Sequence, residues 1–381
     1  MKIGFITSEY PHAKIKYAAG IGTSIKNLAV TLVKKGVNVT VFVYHQEAEV
    51  VFLDEGVEIH LIKKKKYKIA TWYFYRRHIQ KYTNVIVKTK NIQLLEAPDW
   101  TGITAFMNFN VPLVIRFHGS DAYFCKLDGR KQKIKNFLFE KLALKKAEAY
   151  IAPTTYAGIE TQKIFELNKE KIKTIHYGLK LDDFINDSQN VYDRNTILYI
   201  GTIIRKKGVL ELAEIFNKVI ESNPEAKLIL IGSDSPDIKT SYTSTYSLME
   251  NLFSTKAKKQ SNYLGKVPYT EVQNYIKKAH VCVFPSFAET LGMVTIESMA
   301  LQKPVVNTSI GWAQELIDDG VNGFLVHPRQ TDEYATKILE LFNNEKLCIE
   351  IGKAARKKVE ELFDIDNNAE MNIEYYNSII K

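Results

Sequence analysis

Short, unbroken apolar runs recur along the chain and are separated by stretches with helical periodicity. The runs span residues 3–6, 39–43, 111–115, 228–231 and 281–284. None of them alternates apolar with polar residues, which is typical of strands in a parallel sheet covered by helices on both faces. Two stretches repeat apolar residues at i, i+3, i+4, i+7 and i+8: Ile25, Leu28, Ala29, Leu32 and Val33, and Leu212, Ile215, Phe216, Val219 and Ile220. Each predicts a helix with one core-facing stripe, and the alternation predicts an α/β chain.

The strand-and-helix pattern occurs twice, which predicts two domains. A chain of 381 residues is too long for one ordinary core of about 150 residues. Residues 178–195 show no sustained period before a new strand begins, so we place an N-terminal domain at 1–178 and a C-terminal domain at 179–364. A last helix at 365–381 would complete the N-terminal domain or pack on the other one. Right-handed crossovers favour an open, doubly wound sheet in each domain, with ligands at the carboxyl ends of the strands.

Composition excludes several classes of protein. Hydrophobic residues make up 45% of the chain and charged residues 25%, which excludes collagen-like and disordered chains. The three cysteines stand far apart, so we expect reduced thiols and neither a metal knuckle nor a disulfide framework. No apolar run approaches the roughly 18 residues that cross a bilayer, and Glu9 and Pro11 interrupt the start of the chain before a signal peptide could form. We therefore expect a cytoplasmic protein.

Basic residues outnumber acidic ones by nine, and the excess is concentrated in residues 63–81. Lysines and arginines alternate there with tyrosine, tryptophan and phenylalanine. One interpretation is a solvated helix face above a buried aromatic stripe. The other is a surface that docks on anionic lipid, which would place the protein peripherally at the inner face of the plasma membrane. Nucleic acid is not an expected partner, because no stacking motif or known binding module accompanies the charge.

Residues 284–300 predict a buried strand, a loop and a helix that opens at Gly292. The free N–H groups and positive dipole at a helix start attract anions, and a glycine lets a phosphate approach the backbone. Glu289 precedes this helix and Glu297 lies inside it. A carboxylate on each side of a pyrophosphate suits a ligand with polyols at both ends, a ribose and a sugar. The alternative is that Glu289 caps the helix and Glu297 is a surface residue.

Two further segments follow predicted strands. Residues 201–208 form a turn with three cations, in which Arg205 could grip phosphate bidentately and Lys207 could act as a point charge. The alternative is that both are solvated loop charges. His118 follows the run 111–117 and precedes Gly-Ser-Asp, so it would open onto the ligand edge of the sheet. A lone histidine of this kind can also be structural.

Together these residues resemble the family 4 glycosyltransferases (group 1 glycosyl transferases) over nearly the whole chain. The most specific features are the Glu289/Glu297 pair within PSFAETLGMVTIESMA and Lys207-Gly208, which is similar to the family's KG turn. Weaker landmarks follow in the family's order: Gly20-Ile-Gly22 before the first helix, Glu96-Ala-Pro-Asp99-Trp100, His118-Gly-Ser-Asp121, Tyr177-Gly178, Gly265-Lys-Val-Pro268, Gly311-Trp-Ala-Gln-Glu315 and Asn322-Gly323. The resemblance implies the GT-B fold, two Rossmann-like doubly wound domains facing across a deep cleft.

The resemblance also implies site residues. The catalytic set would be His118, Glu289, Arg205 and Lys207, and the donor-binding set Gly20, Gly22, Gly292, Met293, Val294, Glu297 and Val267. Lys207 and Arg205 would hold the donor pyrophosphate, Glu297 the donor ribose and Glu289 the transferred sugar. The chain departs from the family pattern at Thr202, where many members have arginine, and at Trp312, where a glycine is common.

The implied activity is transfer of a hexose from a nucleotide sugar to a glycan or lipid-linked acceptor, with retained anomeric configuration, in cell-surface polysaccharide or lipopolysaccharide synthesis. We expect a UDP-sugar ahead of a GDP-sugar, and neither cofactor nor metal. The only Asp-x-Asp, Asp364-Ile-Asp366, adjoins the last helix, where capping explains it. Cationic side chains would neutralise the leaving diphosphate instead. The alternatives are a nucleotide-sugar-binding protein without turnover and a GT-B epimerase or phosphorylase.

Overall fold

The computed structural model describes residues 1–380, and its chain divides into two compact units. The first unit contains residues 1–180 and the segment from Asp364 onward, so the last helix belongs with the N-terminal residues. The second unit is Leu181–Phe363. Among residues 1–380, no helix combines the length and the apolar character needed to cross a membrane.

An eight-stranded sheet forms the centre of the first unit. Its strands are β1 Lys2–Thr7, β2 Asn38–Gln46, β3 Val50–Asp54, β4 Val57–Lys63, β5 Leu94–Pro98, β6 Leu113–Arg116, β7 Ala149–Ala152 and β8 Ile172–Thr174. They lie in the order β3-β4-β2-β1-β5-β6-β7-β8. All neighbours are parallel except β3, which is antiparallel to β4.

Helices cover both faces of this sheet. They are α1 Gly20–Lys34, α2 Thr71–Lys90, α3 Asp121–Leu127, α4 Ile134–Lys145, α5 Thr155–Phe165 and the C-terminal helix Ile365–Ile379. Successive strand residues point to opposite faces. Phe5 therefore packs with α1 and the C-terminal helix in one apolar cluster, and Ile6 packs with α2 in another.

The second unit has a sheet of six parallel strands. They are β9 Thr196–Ile200, β10 Lys227–Ile231, β11 Ser261–Tyr263, β12 Val281–Phe284, β13 Val305–Thr308 and β14 Phe324–Val326, in the order β11-β10-β9-β12-β13-β14. Its helices are α6 Val209–Ser222, α7 Thr245–Glu250, α8 Thr255–Gln260, α9 Tyr269–Lys278, α10 Met293–Ala300, α11 Thr331–Asn343 and α12 Glu345–Leu362. Both units are therefore doubly wound, and the predicted α/β class is confirmed.

The predicted apolar runs fall within strands, with one boundary that differs. The run 111–115 was expected to be a strand from its first residue, but β6 begins at Leu113. Pro112, which has no N–H to give to a neighbouring strand, stands immediately before it. The strand ends at Arg116, one residue beyond the apolar run 111–115 and one before the end of the longer run 111–117. The predicted stripe of α6 is buried from Leu212 through Ile220.

In each sheet the order of the strands reverses next to the strand that comes first in the sequence. In the first unit β1 lies between β2 and β5, and in the second β9 lies between β10 and β12. Ligands of doubly wound proteins collect outside the carboxyl ends of the strands at such a switch point. The segments that follow these strands are therefore the places where each unit would hold a ligand.

Candidate active site

In the second unit, the segments that follow β9 and β12 are packed against each other. Gly208 lies in the left-handed region at φ 68°, and a Cβ at this position would collide with the carbonyl oxygen of Pro285. The amide of Phe287 donates to the carbonyl of Lys206 at 2.8 Å. Only glycine at 208 allows both the backbone conformation and this close approach. The turn at 201–208 and the loop after β12 thus form one surface.

Lys207 and Glu289 meet on this surface. The ammonium of Lys207 is hydrogen-bonded to Oε1 of Glu289, and both side chains are mostly buried. Burial and the nearby charge of Lys206 lower the pKa of Lys207, while its contact with Glu289 favours the charged form. The two residues line a pocket together with Gly292, Val294, Thr295 and Trp312. The alternative that Lys207 is a solvated loop charge is therefore wrong.

The start of α10 lies at the same pocket. Gly292 is the N-cap residue, at φ 91°, and as a glycine it has no side chain of its own to cap the helix. The first N–H groups of a helix, here those of Met293 and Val294, have no acceptor within the helix. The start of α10 is thus able to bind an anion. Oε1 of Glu289, the residue expected either to cap this helix or to bind the sugar, is bound to Lys207.

Glu297 lies one turn further along α10 and is only 7% exposed. Oε1 of its carboxylate accepts a hydrogen bond of 2.8 Å from the hydroxyl of Tyr269. Burial raises the pKa of Glu297 to about 7, although the Tyr269 hydroxyl lowers it in part. The alternative of a surface residue is therefore wrong. Tyr269 begins α9 directly after Pro268, and the half-buried Val267 lies just before that turn.

Arg205 makes a different contact from the one predicted. Its Nε and Nη2 donate to the two carboxylate oxygens of Asp237 at 2.9 and 2.8 Å. Asp237 is 2% exposed and also accepts from the amide and hydroxyl of Thr240, and the pKa of its carboxyl lies far below the usual range because of Arg205. The bidentate grip expected for phosphate is thus made with a carboxylate. Arg205 does not line the pocket of Lys207 and Glu289.

In the first unit, His118 follows β6 and is held on two sides. Its Nδ1 lies 2.8 Å from the hydroxyl of Tyr177, and the two rings stack. The same hydroxyl is 2.9 Å from the carbonyl of Phe117. The amide of His118 donates to Oδ1 of the buried Asp99 at 2.9 Å. Burial, together with the charge of Arg116, lowers the pKa of His118 to about 3, so its imidazole is neutral near pH 7.

A buried charge network lies beneath His118. Arg116 and Glu96 are each 2% exposed and form a bidentate pair at 2.7 and 3.0 Å. Arg116 also donates to Oδ1 of Asn372 at 2.5 Å, and the hydroxyl of Tyr376 donates to Glu96 at 2.5 Å. Because Asn372 and Tyr376 belong to the C-terminal helix, this network fastens that helix to β5 and β6. Close contact continues at Gly178, where a Cβ would collide with Ile365.

The predicted loop at Gly20 and Gly22 is wrong in its local structure. Both glycines lie in the first turn of α1, which begins at Gly20. The carboxylate of Glu9 accepts from the amides of Ala19 and Gly22 at 2.9 and 3.2 Å, as an acid does at a helix start. A Cβ at Gly22 would meet the backbone of Glu9 and Tyr10. The glycine is therefore needed for close contact with this segment.

Sequence reasoning missed four residues that hold the predicted ones in place: Asp237, Tyr269, Glu9 and Asp99. Asp99 belongs to one of the weaker family landmarks, which implies no role for it, and the other three carry no motif. Asp364 fulfils its predicted capping role, because its side chain accepts from the amides of Asp366 and Asn367. Within residues 1–380, no three His, Cys, Asp or Glu side chains are grouped so that they could hold a metal ion.

Two doubly wound parallel sheets, each with polar segments at its switch point, define the class of GT-B proteins. Solved structures show the same fold. A sucrose-phosphate synthase from Thermosynechococcus elongatus matches with a TM-score of 0.81 and 18% identity, over 99% of this chain and 98% of that one. The Anabaena protein HepE in complex with UDP-glucose matches with a TM-score of 0.72 and 18% identity, over 99% of this chain and 100% of that one.

Similarity to family models and to known proteins identifies the family of the chain as well as its fold. Residues 182–358 match the model of glycosyl transferases group 1, and residues 18–183 match that of glycosyltransferase family 4. The chain belongs to the family 4, group 1 glycosyltransferases. An uncharacterised glycosyltransferase of Methanocaldococcus jannaschii is 26% identical over 94% of this chain and 93% of its own length. The capsular polysaccharide biosynthesis glycosyltransferase CapM of Staphylococcus aureus is 29% identical over 59% of this chain and 53% of its length.

Proposed function

We propose that this glycosyltransferase transfers a hexose from a nucleotide sugar to a glycan or lipid-linked acceptor, with retention and without a metal. A UDP-sugar is the favoured donor and a GDP-sugar the second choice. The product would belong to a cell-surface polysaccharide or lipopolysaccharide. The similarity to CapM, a capsular polysaccharide enzyme, supports the polysaccharide, and the Anabaena neighbour with bound UDP-glucose supports the donor.

The observation that carries the proposal is the contact between Lys207 and Glu289. In a nucleotide sugar a single oxygen joins the diphosphate to the reacting sugar carbon. A cation for the phosphate and a carboxylate for the sugar hydroxyls must therefore lie within a few ångströms of each other. These two side chains meet that requirement beside the start of α10. Glu297, further along α10, would bind the ribose at the other end of the diphosphate.

The departure of the diphosphate would be assisted by fixed positive groups. Lys207 and the first amides of α10 would take up the charge that develops on the leaving oxygen, as preorganised donors do in other transferases and hydrolases. Arg205 would reach the phosphate only by releasing or sharing Asp237, so we assign the larger part to Lys207. The acceptor hydroxyl would attack from the face that the diphosphate leaves and give its proton to the departing phosphate oxygen, which retains the configuration without an enzyme nucleophile.

His118 is proposed to contact the donor sugar. Its pKa of about 3 makes it a neutral hydrogen-bonding group near pH 7 and not an acid. Asp99 and Tyr177 fix its backbone and ring. Its part would therefore be to orient a sugar hydroxyl, while Glu289 holds others.

Three measurements test this function. Thermal shifts with UDP-, GDP- and ADP-glucose identify the nucleotide, and donor hydrolysis with and without EDTA tests turnover and metal dependence. Proton NMR of a glycoside product gives the anomeric configuration. Binding without hydrolysis or transfer to any acceptor would favour the alternative of a binding protein. Interconversion of nucleotide sugars, or release of a sugar phosphate in the presence of phosphate, would favour an epimerase or phosphorylase.

Attachment to the membrane needs its own test, because residues 63–81 remain only a proposed surface for it. Flotation with phosphatidylcholine vesicles, with and without anionic lipid, measures this attachment. Binding that depends on anionic lipid would support a peripheral protein. Equal and negligible binding to both would remove the membrane surface and leave the transferase proposal intact.

A further inference from the structure

A second pocket, of about 460 Å³, lies in the first unit beyond the end of β2. It is bounded by Tyr44 and His45, by Lys64 and Lys65 after β4, and by the start of α2. We call it the Arg76 pocket, because Arg76 forms part of its wall. It shares none of its lining residues with the pocket of Lys207 and Glu289.

Arg76 is a buried cation without a carboxylate partner. It is 9% exposed, and its Nη atoms donate to the carbonyl oxygens of Trp72, Thr101 and Gly102. Its guanidinium lies over the ring of Phe139 at 4.7 Å, while Nε has no hydrogen-bond partner. Burying a charge that no opposite charge compensates destabilises a protein. An anion bound in the pocket would offset that cost.

The remaining wall has the same sign of charge. None of the lining residues is acidic, and Lys64 and Lys65 add two exposed ammonium groups. Lys135 lies 5.2 Å from the ring of Trp72 and adds a further charge near the pocket. The pocket thus gathers cations around a concave site, which attracts an anion more strongly than scattered surface charge does.

Aromatic rings form the apolar part of the wall. Tyr44, Trp72 and Tyr75 line it, and the imidazole of His45 stacks on Tyr75 with ring centres 5.0 Å apart. Flat rings beside one buried and two exposed cations suit a ligand in which a ring with apolar C–H faces is joined to a phosphate. A simple inorganic anion would leave these rings without a contact.

We infer that the Arg76 pocket binds a phosphate ester of a sugar or other ring polyol, and that this is the anionic part of the acceptor. Only the assignment of this ligand as the acceptor rests on the proposed transferase function. The binding of the phosphate ester does not depend on that function. The phosphate could belong to a soluble sugar phosphate or to a lipid headgroup. Both offer the same chemistry to Arg76, Lys64 and Lys65.

The test compares two double variants of the full chain. Lys64→Gln with Lys65→Gln removes two charges from the pocket. Lys63→Gln with Lys66→Gln removes two charges from the same exposed tract but outside the pocket wall. Titration with glucose 1-phosphate, by calorimetry or ³¹P NMR, should give at least about tenfold weaker binding for the first pair and less than about twofold for the second. Methyl glucoside, which lacks the phosphate, should not compete.

Vesicles distinguish the two sources of the phosphate. Phosphatidylinositol carries a polyol ring on its phosphate, and phosphatidylglycerol has the same charge without a ring. Preference for phosphatidylinositol in phosphatidylcholine vesicles, lost only in the Lys64/Lys65 pair, would identify a lipid headgroup, whereas binding of glucose 1-phosphate alone would identify a soluble ester. Arg76→Gln should also weaken binding of the phosphate ester, and Arg76→Lys should retain part of the binding. If Arg76→Gln does not fold, the two lysine double variants still test the inference.

Three results would overturn the inference. One is equal loss of binding in both lysine pairs, which would indicate general surface charge. Another is binding of methyl glucoside to the pocket with an affinity equal to that of glucose 1-phosphate. The third is no binding of glucose 1-phosphate and no preference for phosphatidylinositol. Hydrolysis of UDP-glucose by the unaltered protein is measured separately, so its absence would refute the proposed function and not this pocket.

Discussion

The ammonium of Lys207 is bound to the carboxylate of Glu289, 82 residues further along the chain. One residue belongs to the turn after β9 and the other to the loop after β12, and these two strands are neighbours in the sheet. The contact pairs the two opposite charges. A bound nucleotide sugar would give each side chain a new partner, phosphate for Lys207 and hydroxyls for Glu289. Because of this exchange of partners, we expect replacement of Lys207 and replacement of Glu289 to have different effects on the binding of UDP.

Replacement of Lys207 by alanine should weaken the binding of UDP. A hydrogen bond between an ammonium and a phosphate contributes about 1.5 to 3 kcal/mol, which corresponds to a loss of roughly 10- to 150-fold in affinity. Calorimetric titration of Lys207→Ala with UDP measures this directly. Lys206→Ala is the matched control, because it removes the same charge from a neighbour that does not line the pocket. Equal affinity losses in both variants would refute a specific role for Lys207.

Replacement of Glu289 by glutamine should affect turnover more than the binding of UDP. The amide is nearly the same size but cannot compete for Lys207 as a carboxylate does, so Lys207 becomes more available to phosphate. We therefore expect UDP affinity that is unchanged or slightly higher, with hydrolysis of UDP-glucose reduced by at least about tenfold. Isothermal titration and a coupled UDP-release assay give the two values. A loss of UDP affinity as large as the loss of turnover would contradict this assignment.

The fold was predictable because burial on both faces of a parallel sheet leaves a clear pattern in the chain. The runs in β1, β2, β10 and β12 have no polar alternation, and the stripe of α6 keeps a strict helical spacing. The short β8 and β11 lack such a pattern. The burial of Arg116 was not predictable, because its partner Glu96 lies in a different strand.

The start of α10 after Gly292 was predictable, because a single segment carries the whole strand, loop and helix pattern. The partner of a side chain was not predictable where several partners are within reach. Arg205 has a side chain that can bind phosphate and lies in a turn after a strand, yet its guanidinium is paired with Asp237. No spacing in the sequence predicts that pair. Gly22 similarly indicated a phosphate loop, whereas Glu9 occupies the helix start. Such pairings depend on loop geometry that apolar periodicity does not encode.

The contribution of Glu297 to donor binding should strengthen as pH rises through about 7. Burial raises the pKa of Glu297 to about 7, and only the ionised carboxylate accepts hydrogen bonds from both ribose hydroxyls. Affinity for UDP-glucose should increase by up to about tenfold between pH 6 and pH 8. UDP-glucose is the suitable probe because its diphosphate has no terminal phosphate that titrates in this range.

Glu297→Gln is the control for this pH dependence. The variant should bind UDP-glucose more weakly at pH 8 and with little change between pH 6 and pH 8. It should also be the more stable protein at high pH. A carboxyl whose pKa is raised by folding favours the folded state at low pH, and that contribution is lost as pH rises from about 4.5 through about 7. An unchanged pH dependence in Glu297→Gln would show that another group is responsible.

The network of Glu96 and Arg116 should dominate the attachment of the C-terminal helix. Glu96→Gln leaves Arg116 buried without a negative partner, a change that costs about 3 to 5 kcal/mol in other proteins. Tyr376→Phe removes one hydroxyl from the same carboxylate and should cost about 1 to 2 kcal/mol. Urea unfolding, monitored together with hydrogen exchange in the helix Ile365–Ile379, gives both values.

A surface pair provides the comparison for this prediction. Lys346 and Glu350 lie 3.8 Å apart on α12 and both are well exposed, so Glu350→Gln should change stability by no more than about 0.5 kcal/mol. The expected order of destabilisation is thus Glu96→Gln, then Tyr376→Phe, then Glu350→Gln. Exchange in the C-terminal helix should quicken in the first two variants only, because they alone remove its contacts with β5 and β6. If Glu96→Gln lowered the free energy of unfolding by no more than Glu350→Gln, the buried pair of Glu96 and Arg116 would not be what stabilises the C-terminal helix. The apolar contacts of the helix would then hold it in place.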